Sequence, residues 1–349
     1  MEQYKLLSLG DKGVMNIGDY IQALASSQFY PHVDGFVYRE KLKDYNGDPC
    51  NMIMNGWYMH DPSQWPPSSK INPLFVALHL NTSVADKLLS VEGVSYLKQY
   101  EPIGCRDYFT RDLLVQKGIK AYFSGCMTLT LGNSCKSEKR DDTCYFVDPI
   151  FETPKSISSI LHSLFTLVAH FAPVRTIFRK RPSRKRLSDL LRTANFYRLY
   201  SRIFTKELLE SAEYITQQSE YYSDAFSDDF ERLKEAERLV RLYAKASLVV
   251  TRRIHCALPC LGLETPVLFT ANKNVSEISS CRFGGIIDLF NVIYCDEKSI
   301  ECDFIQNTKI DIHHHPENKT LWKEYASNLT KRCKEFINST LSNDTEHFS

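Results

Sequence analysis

The sequence lacks the usual marks of a secreted, metal-binding or nucleic-acid-binding protein. Its 11 cysteines include no Cys-x-x-Cys pair, so their spacing indicates neither a disulfide framework nor a zinc site. The formal net charge is only +1, which gives no protein-wide field for holding nucleic acid. The amino-terminal apolar segment is about five residues long, too short for a signal peptide. We therefore expect a cytoplasmic protein with reduced thiols and no nucleic-acid partner.

Length and composition set the expected scale of the fold. The chain has 349 residues, of which 43% are hydrophobic and 24% charged, and these shares are ordinary for a globular protein. Because domains are typically about 100 to 150 residues long, this length predicts two domains. No internal repeat of solenoid length is visible, so a repeat architecture is not indicated.

Short apolar runs alternate with helical periods along most of the chain. In the first half the runs cover residues 4–9, 52–54, 74–80 and 121–124, with helical periods over 19–29 and 108–117. In the second half the runs cover 144–147, 213–216, 247–251 and 266–269, with helical periods over 230–245 and 255–263. This alternation is typical of βα units with mostly parallel sheets. It predicts an α/β fold of two Rossmann-like domains that face one cleft.

The expected domain boundaries follow from these two series. The first Rossmann-like domain covers residues 1–140, and the second covers 141–316. A basic, amphipathic helical insert interrupts the second domain at about residues 156–205. Residues 317–349 are expected to form a carboxyl-terminal helix and tail.

The insert is unlike the rest of the chain. Its apolar part is about fifteen residues long, too short to span a membrane. From Arg175 to Arg202, ten Arg or Lys residues stand against the single acid Asp189. Docking of residues 160–204 on an anionic membrane surface is one interpretation, and a solvated hairpin that caps the second domain is the other. The aromatic residues that would support docking are Phe178, Phe196, Tyr197 and Tyr200.

Three segments carry residues suited to a ligand site. The first is Asn16-Ile17-Gly18-Asp19, which follows the first strand and opens a helix. Gly18 permits a close backbone approach, and Asp19 could accept the free N–H groups of the helix start. A purely structural cap and a ligand at this helix start both stay open.

The second segment contains Arg106 and Asp107, which form a turn into the helix near residue 108. The planar guanidinium of Arg106 could bind a carboxylate or phosphate, or it could pair with a neighbouring acid. His60 and His79 each follow a strand-like run, so both would point into the crevice beyond the strand ends. A structural role remains the alternative for each histidine.

The third segment, residues 247–269, is the most informative. A buried strand is expected to end at Thr251, and a helix is expected to start at about His255. Arg253 and His255 therefore lie between a strand end and a helix amino terminus, where an anion is best held. An arginine for phosphate and a histidine for proton transfer form a plausible pair for group transfer from a phosphorylated donor.

Taken together, these segments resemble the polysaccharide pyruvyl transferase family. The resemblance rests on NIGD (16–19), EPIGCRDYFTRDLLVQKGIKAYFSGCMTLTL (101–131), TRRIHCALPCLGLETPVLF (251–269) and RFGGIIDLF (282–290). It implies a fold like that of GT-B glycosyltransferases and a phosphoenolpyruvate donor contacted by Arg253-Ile254-His255. It also implies a pyruvate ketal on a sugar diol as product. Many members carry a glycine-rich run where this chain has residues 54–58, so contacts in the first domain transfer poorly.

The expected chemistry follows from the donor. Phosphoenolpyruvate carries a carboxylate and a phosphate, so its pocket should offer arginines. The candidate arginines are Arg253, Arg106 and Arg282. A general acid must protonate the methylene carbon before a sugar hydroxyl attacks. The candidates for acid or base are, in order, His255, His79 and His60.

No carboxylate cluster resembles a magnesium site, so we predict no metal and no cofactor other than phosphoenolpyruvate as co-substrate. The triplet 313–315 is interpreted as a polar surface turn, because adjacent histidines cannot easily converge on one ion. The expected acceptor is a sugar of a polysaccharide or of a polyprenyl-diphosphate-linked precursor of a capsule or exopolysaccharide. It would be met in the cytoplasm or at the inner leaflet of the plasma membrane.

Two other functions stay open. A GT-B glycosyltransferase with a nucleotide-sugar donor would use the same cleft, with the diphosphate at the second domain's helix start. A non-catalytic sugar-binding partner of a polysaccharide assembly complex would bind the acceptor and release no phosphate. Release of phosphate or of nucleotide from the donor distinguishes these three functions.

Overall fold

The first half of the chain forms a sheet of parallel strands. The computed structural model describes residues 2–8, 16–182, 186–218, 222, 225–273, 281–304 and 308–346. The strands are β1 (Lys5–Ser8), β2 (Gly35–Tyr38), β3 (Cys50–Tyr58), β4 (Ile71–Leu80), β5 (Ile103–Cys105) and β6 (Ala121–Phe123). β1 pairs with β2, β3 to β6 pair in that order, and a parallel bridge between Tyr4 and Asn51 joins the two groups. The four predicted strands are confirmed, and β2 and β5 are added.

Short helices connect these strands. They are α1 (Ile17–Ser27), α2 (Ala85–Leu88), α3 (Val91–Lys98), α4 (Tyr108–Gln116) and α5 (Gly132–Cys135). Three 3-10 turns cover Arg39–Lys41, Pro62–Gln64 and Met127–Thr130. α1 begins after Asn16, whose side chain accepts a hydrogen bond from the Gly18 N–H, and α4 begins after Asp107, which caps Thr110. Both helix starts lie at the carboxyl edge of the sheet, as predicted for βα units.

The second half forms another sheet. Its strands are β7 (Cys144–Val147), β8 (Glu213–Ile215), β9 (Leu248–Thr251), β10 (Val267–Asn272), β11 (Asn291–Cys295) and β12 (Ile300–Glu301). Their order is β12-β11-β10-β9-β7-β8, parallel except for β12. The helices outside the insert are α9 (Lys206–Ser211), α10 (Asp229–Lys245), α11 (Ile254–Gly262) and α12 (Trp322–Glu346), with 3-10 turns at Cys281–Phe283 and Ile287–Leu289. The helices α6 to α8 belong to the insert.

The insert consists of α6 (Ile157–Ala169), α7 (Phe171–Lys180) and α8 (Leu187–Tyr200). α8 belongs to the protein core, because Phe196, Tyr197 and Tyr200 are buried. The rings of Phe196 and Tyr200 pack against Phe146 of β7. The prediction that these three aromatic residues meet a membrane is therefore wrong.

The helices of the insert are short for a membrane span. No single helix within the described ranges is long and apolar enough to cross a membrane. α6 and α7 meet the length and composition requirement only when they are taken together, and they are bent by 99° where they join.

One hydrophobic cluster joins the two halves of the chain. It contains Ile21 and Val76 from the first half and Val249 and Leu258 from the second. At Gly262, the end of α11 packs so closely on Leu129 that an added Cβ would lie 2.4 Å from the Leu129 carbonyl oxygen. The parallel sheets and the helices that connect their strands confirm the predicted α/β class. The GT-B-like arrangement and the boundaries at 140 and 316 stay predictions.

Candidate active site

Arg253 lies between β9 and α11, at the carboxyl edge of the second sheet. Its backbone N–H donates to the Thr251 hydroxyl, and its Nε donates to the carboxylate of Asp148 at 2.8 Å. Asp148 follows β7 with a left-handed φ of 46° and also accepts the Gln217 N–H at 3.0 Å. Residues at the ends of the neighbouring strands β7, β8 and β9 thus fix the direction of the Arg253 guanidinium.

His255 occupies the first turn of α11 and lies against the start of α1. Its Nδ1 is 3.6 Å from the Asp19 carboxylate. A Cβ added at Gly18 would lie 3.0 Å from the His255 Cβ. Gly18 is therefore needed for the close approach of the two helix starts, as its position in the sequence suggested.

Gln217 ties the same two helix starts together. It is buried at the end of β8, where its carbonyl oxygen accepts the Ile17 N–H at 3.4 Å. Its side-chain amide donates to the Tyr243 hydroxyl at 2.9 Å and to the His255 carbonyl oxygen at 3.4 Å. These contacts hold the amino termini of α1 and α11 side by side.

The positive charges of three arginines act on the Asp19 carboxylate. Burial raises the pKa of Asp19 above its ordinary value, and the positive charges of Arg39, Arg106 and Arg253 oppose that rise. Arg39 stacks on the Trp57 ring with 4.6 Å from its guanidinium carbon to the ring centre. The Nε of Arg106 is buried and has no hydrogen-bond partner among the described residues. Each of the three arginines also has an acid nearby, Glu40, Asp107 or Asp148, so the positive charge at the two helix starts is partly balanced.

A buried network supports Arg106 from behind. The Nδ1 of His79 lies 2.6 Å from an Asp107 carboxylate oxygen, and the Nε of Arg106 lies 4.0 Å from the same oxygen. Burial alone would raise the pKa of Asp107. The His79 hydrogen bond, the charges of His79 and Arg106 and the Thr110 N–H outweigh burial and hold that pKa below its ordinary value.

This arrangement is suited to an anion. The amino termini of α1 and α11, which are the positive ends of the two helix dipoles, lie side by side, and Asn16 and Gln217 already accept the first N–H groups of α1. Arg39, Arg106 and Arg253 add three permanent charges, and His255 adds a group that can give or take a proton. A ligand with two acidic groups could therefore be held beside a proton donor.

A match to a protein-family model shows which family the chain belongs to. Residues 16–274 match the model for polysaccharide pyruvyl transferase, which spans more than half of the chain and both helix starts. The chain belongs to the polysaccharide pyruvyl transferase family. Searches of curated proteins and of solved structures gave no significant match. The family indicates a transferase that acts on polysaccharides.

Most of the predicted site residues of this family member lie together. Asn16, Gly18, Asp19, Arg253 and His255 meet at the two helix starts. Arg106 joins them through its charge interaction with Asp19, and Asp107 and His79 lie behind it. Ile254 is the first residue of α11.

One predicted site residue, His60, is not brought into this group. His60 is exposed, and its ring centre lies 4.5 Å from that of Trp57. Its backbone N–H donates to the Glu40 carboxylate. The side chain of Arg282 lies outside the described residues. The roles suggested for both residues stay predictions.

Sequence reasoning missed Arg39, Asp148 and Gln217. Asp148 had a usable signal, because it is an acid directly after the buried strand β7. Arg39 likewise comes directly after β2, which was itself overlooked. Gln217 gave no signal, since its role depends on which helix starts meet at the end of β8.

A cavity of about 460 Å³ adjoins the Arg253–Asp148 pair. The loops after β7 and β8 form one side of it, and Arg252 lies at its edge. Arg181 and Arg192 of the insert form another side. The Nε of Arg192 is buried and lacks a hydrogen-bond partner within the described ranges.

Side chains that commonly bind metals do not cluster in the described part of the chain. Within the described residues, no group of three or more His, Cys, Asp or Glu side chains could hold a metal ion. The His313 and His314 N–H groups donate to Asp311, in an exposed bend of the chain. The expectation that catalysis needs no metal stays a prediction.

Proposed function

We propose that the protein transfers the enolpyruvyl group of phosphoenolpyruvate to two hydroxyls of a sugar, forming a pyruvate ketal and releasing phosphate. The observation that carries this proposal is the meeting of Asp19, Arg106, Arg253 and His255 at the starts of α1 and α11. These residues come from both halves of the chain, and the family match spans all four of them.

The donor's charges fit the proposed pocket. Phosphoenolpyruvate carries a carboxylate on one side of its central carbon and a phosphate on the other. Arg253 is fixed by Asp148, and the buried Nε of Arg106 has no hydrogen-bond partner in the described part of the chain. Two arginines aimed from different strand ends can bind the two anionic groups separately.

His255 is the proposed proton carrier. Protonated His255 donates a proton to the donor's methylene carbon, which becomes a methyl group, and the central carbon becomes electron-poor. One sugar hydroxyl adds to that carbon and gives its proton to the imidazole of His255. The carbon–oxygen bond to phosphate then breaks, and phosphate leaves with the bonding electrons. The second hydroxyl adds to the same carbon and gives its proton to the departing phosphate. Asp19, at 3.6 Å, steadies the imidazolium form between these steps.

The cavity beside Asp148 is the proposed acceptor site. Its polar lining includes Thr216, Gln218 and Glu152, which can accept or donate hydrogen bonds to sugar hydroxyls. Arg192 and Arg252 suit an anionic group on the acceptor, such as the diphosphate of a lipid-linked saccharide. We propose no cofactor besides the phosphoenolpyruvate co-substrate.

Donor turnover tests the proposal. Purified protein is incubated with phosphoenolpyruvate and a panel of galactosyl, glucosyl and mannosyl lipid acceptors, and phosphate release is measured with and without each acceptor. We expect acceptor-dependent phosphate release and a product heavier by one ketal-linked pyruvate. Nucleotide release from a nucleotide-sugar, with none of phosphate from phosphoenolpyruvate, would instead identify a glycosyltransferase. Acceptor binding without turnover of either donor would identify a binding protein.

A further inference from the structure

α6 has its apolar and polar sides reversed relative to an ordinary surface helix. The residues that it buries are Ser159, Ser163 and Thr166. At about 100° per residue these three positions lie on one side of the helix. A surface helix normally turns its large apolar side chains toward the core instead.

The inward side of α6 is built to be polar and still satisfied. The Ser163 hydroxyl donates to the Ser159 carbonyl oxygen at 2.7 Å, and the Thr166 hydroxyl donates to the His162 carbonyl oxygen at 2.8 Å. Ser163 also lies 3.3 Å from the side-chain oxygen of Asn195 on α8. The contact with Asn195, together with that of the Ser159 hydroxyl with the Glu297 carbonyl oxygen at 3.5 Å, places this side of α6 against the protein.

The outward side of α6 carries large apolar side chains. Six of the thirteen exposed large hydrophobic residues in the described part of the chain fall between residues 157 and 171. They are Ile157, Leu161, Leu164, Phe165, Val168 and Phe171, with exposed fractions from 45% to 82%. Together they form one continuous stripe along α6 that ends at the start of α7. An apolar patch of this kind marks a surface that meets a non-aqueous partner.

The charged side chains within residues 153–182 are all basic, and an acid from outside this segment, Glu297, accepts the Lys155 and Ser156 N–H groups at the start of α6. α6 contains no Asp, Glu, Lys or Arg, and residues 153–182 contain no Asp or Glu. Arg175 and Arg179 are exposed on α7, and Lys155 is exposed just before α6. The only acid of the insert, Asp189, is buried and pairs with Arg181 and Arg192.

We propose that the stripe on α6, with Arg175, Arg179 and Lys155, docks the protein on the surface of an anionic lipid bilayer. Apolar side chains enter the boundary between headgroups and acyl chains, and the cations meet anionic headgroups. The 99° bend between α6 and α7 suits helices that lie along the surface. A second copy of the chain would fit less well, because a two-fold contact brings the same arginines together. The proposal does not depend on the identity of donor or acceptor.

Sedimentation with vesicles tests the docking. The wild type is mixed with vesicles of phosphatidylglycerol and phosphatidylcholine, or of phosphatidylcholine alone, at low and high salt. We expect binding to the anionic vesicles that weakens with salt. The triple change Leu161→Ser, Phe165→Ser and Val168→Ser should reduce the partition coefficient about 100-fold. Arg175→Gln with Arg179→Gln should reduce it about tenfold, on anionic vesicles only.

A matched control changes apolar residues that are equally exposed elsewhere. Val91→Ser, Val115→Ser and Leu321→Ser should leave vesicle binding unchanged, and circular dichroism confirms that each variant folds. Failure of the wild type to sediment with anionic vesicles at low salt would overturn the proposal. So would retained binding of the triple α6 variant. If ultracentrifugation instead shows a wild-type dimer that the α6 changes dissociate, without vesicle binding, the stripe is an interface between copies.

Discussion

α11 and α6 have similar compositions and opposite surroundings. Neither helix contains Asp, Glu, Lys or Arg. α11 is buried along seven successive residues, 256–262, whereas α6 leaves its large apolar side chains exposed. The difference lies in the side that packs, since α11 ends in Gly262 against Leu129 while α6 packs through hydroxyl groups. Apolar content alone therefore does not predict burial, and the residues on the inner side decide it.

The largest expected difference between α11 and α6 is in kcat, when one histidine of each helix is changed to glutamine. For His255→Gln we expect kcat to fall by about two to four orders of magnitude, because a general acid or base is lost. Phosphoenolpyruvate affinity should remain within a few-fold, since the arginines stay in place. Steady-state kinetics and calorimetry check the two quantities, with His162→Gln on exposed α6 as the control. Lost donor affinity with an unchanged kcat would make His255 a binding residue.

The next largest expected difference is in the free energy of unfolding, when the size of one side chain in each helix is changed. Gly262→Ala places a Cβ 2.4 Å from the Leu129 carbonyl oxygen, so backbone must move. We expect the free energy of unfolding to fall by about 1 to 3 kcal/mol. Leu161→Ala on the outward side of α6 should change it by less than about 0.5 kcal/mol. Urea unfolding measures both, and equal effects would contradict the packing described for α11.

The smallest expected effect is on the way the free energy of unfolding depends on pH. Because the pKa of Asp107 is lowered in the folded state, its contribution to stability is present above the ordinary Asp pKa of about 3.9. That contribution is lost as pH falls through the lowered pKa. Asp107→Asn should therefore flatten the acid side of the stability profile, by about 1 to 2 kcal/mol. Unfolding free energies from pH 7 to 3 measure this.

The buried hydroxyls of α6 supply the control for that profile. Ser163→Ala removes a group that does not titrate, so its effect on the free energy of unfolding should be the same at every pH. An unchanged acid limb in Asp107→Asn would mean that the His79–Asp107 contact does not control acid unfolding.

Much of the site could be predicted from the sequence because its residues sit at strand ends and helix starts. Gly18, Arg253 and His255 were expected at such positions, and the structure places them together. Asp148 and Gln217 were missed because their roles arise only when β7, β8 and β9 become neighbours. That pairing is a property of the tertiary fold and is not written in local spacing.

The insert shows where composition misled the interpretation. The many basic residues suggested that the whole segment meets a membrane, yet Phe196, Tyr200 and Phe204 repeat every four residues and are buried. That spacing is typical of a helix face that packs on a core. In α6 the large apolar residues repeat at a similar spacing but are exposed, because Ser159, Ser163 and Thr166 occupy the buried side.

We propose that the starts of α1 and α11 form the phosphoenolpyruvate site. The most direct measurement is the kcat/KM of phosphate release from phosphoenolpyruvate for Arg253→Ala, with Arg175→Ala on the insert as a matched control and a soluble acceptor. Loss of a charge-assisted contact to the donor should lower kcat/KM by about 100-fold to 1,000-fold, with an unchanged circular dichroism spectrum. The control should match the wild type. Activity of Arg253→Ala within a few-fold of the wild type would contradict the claim.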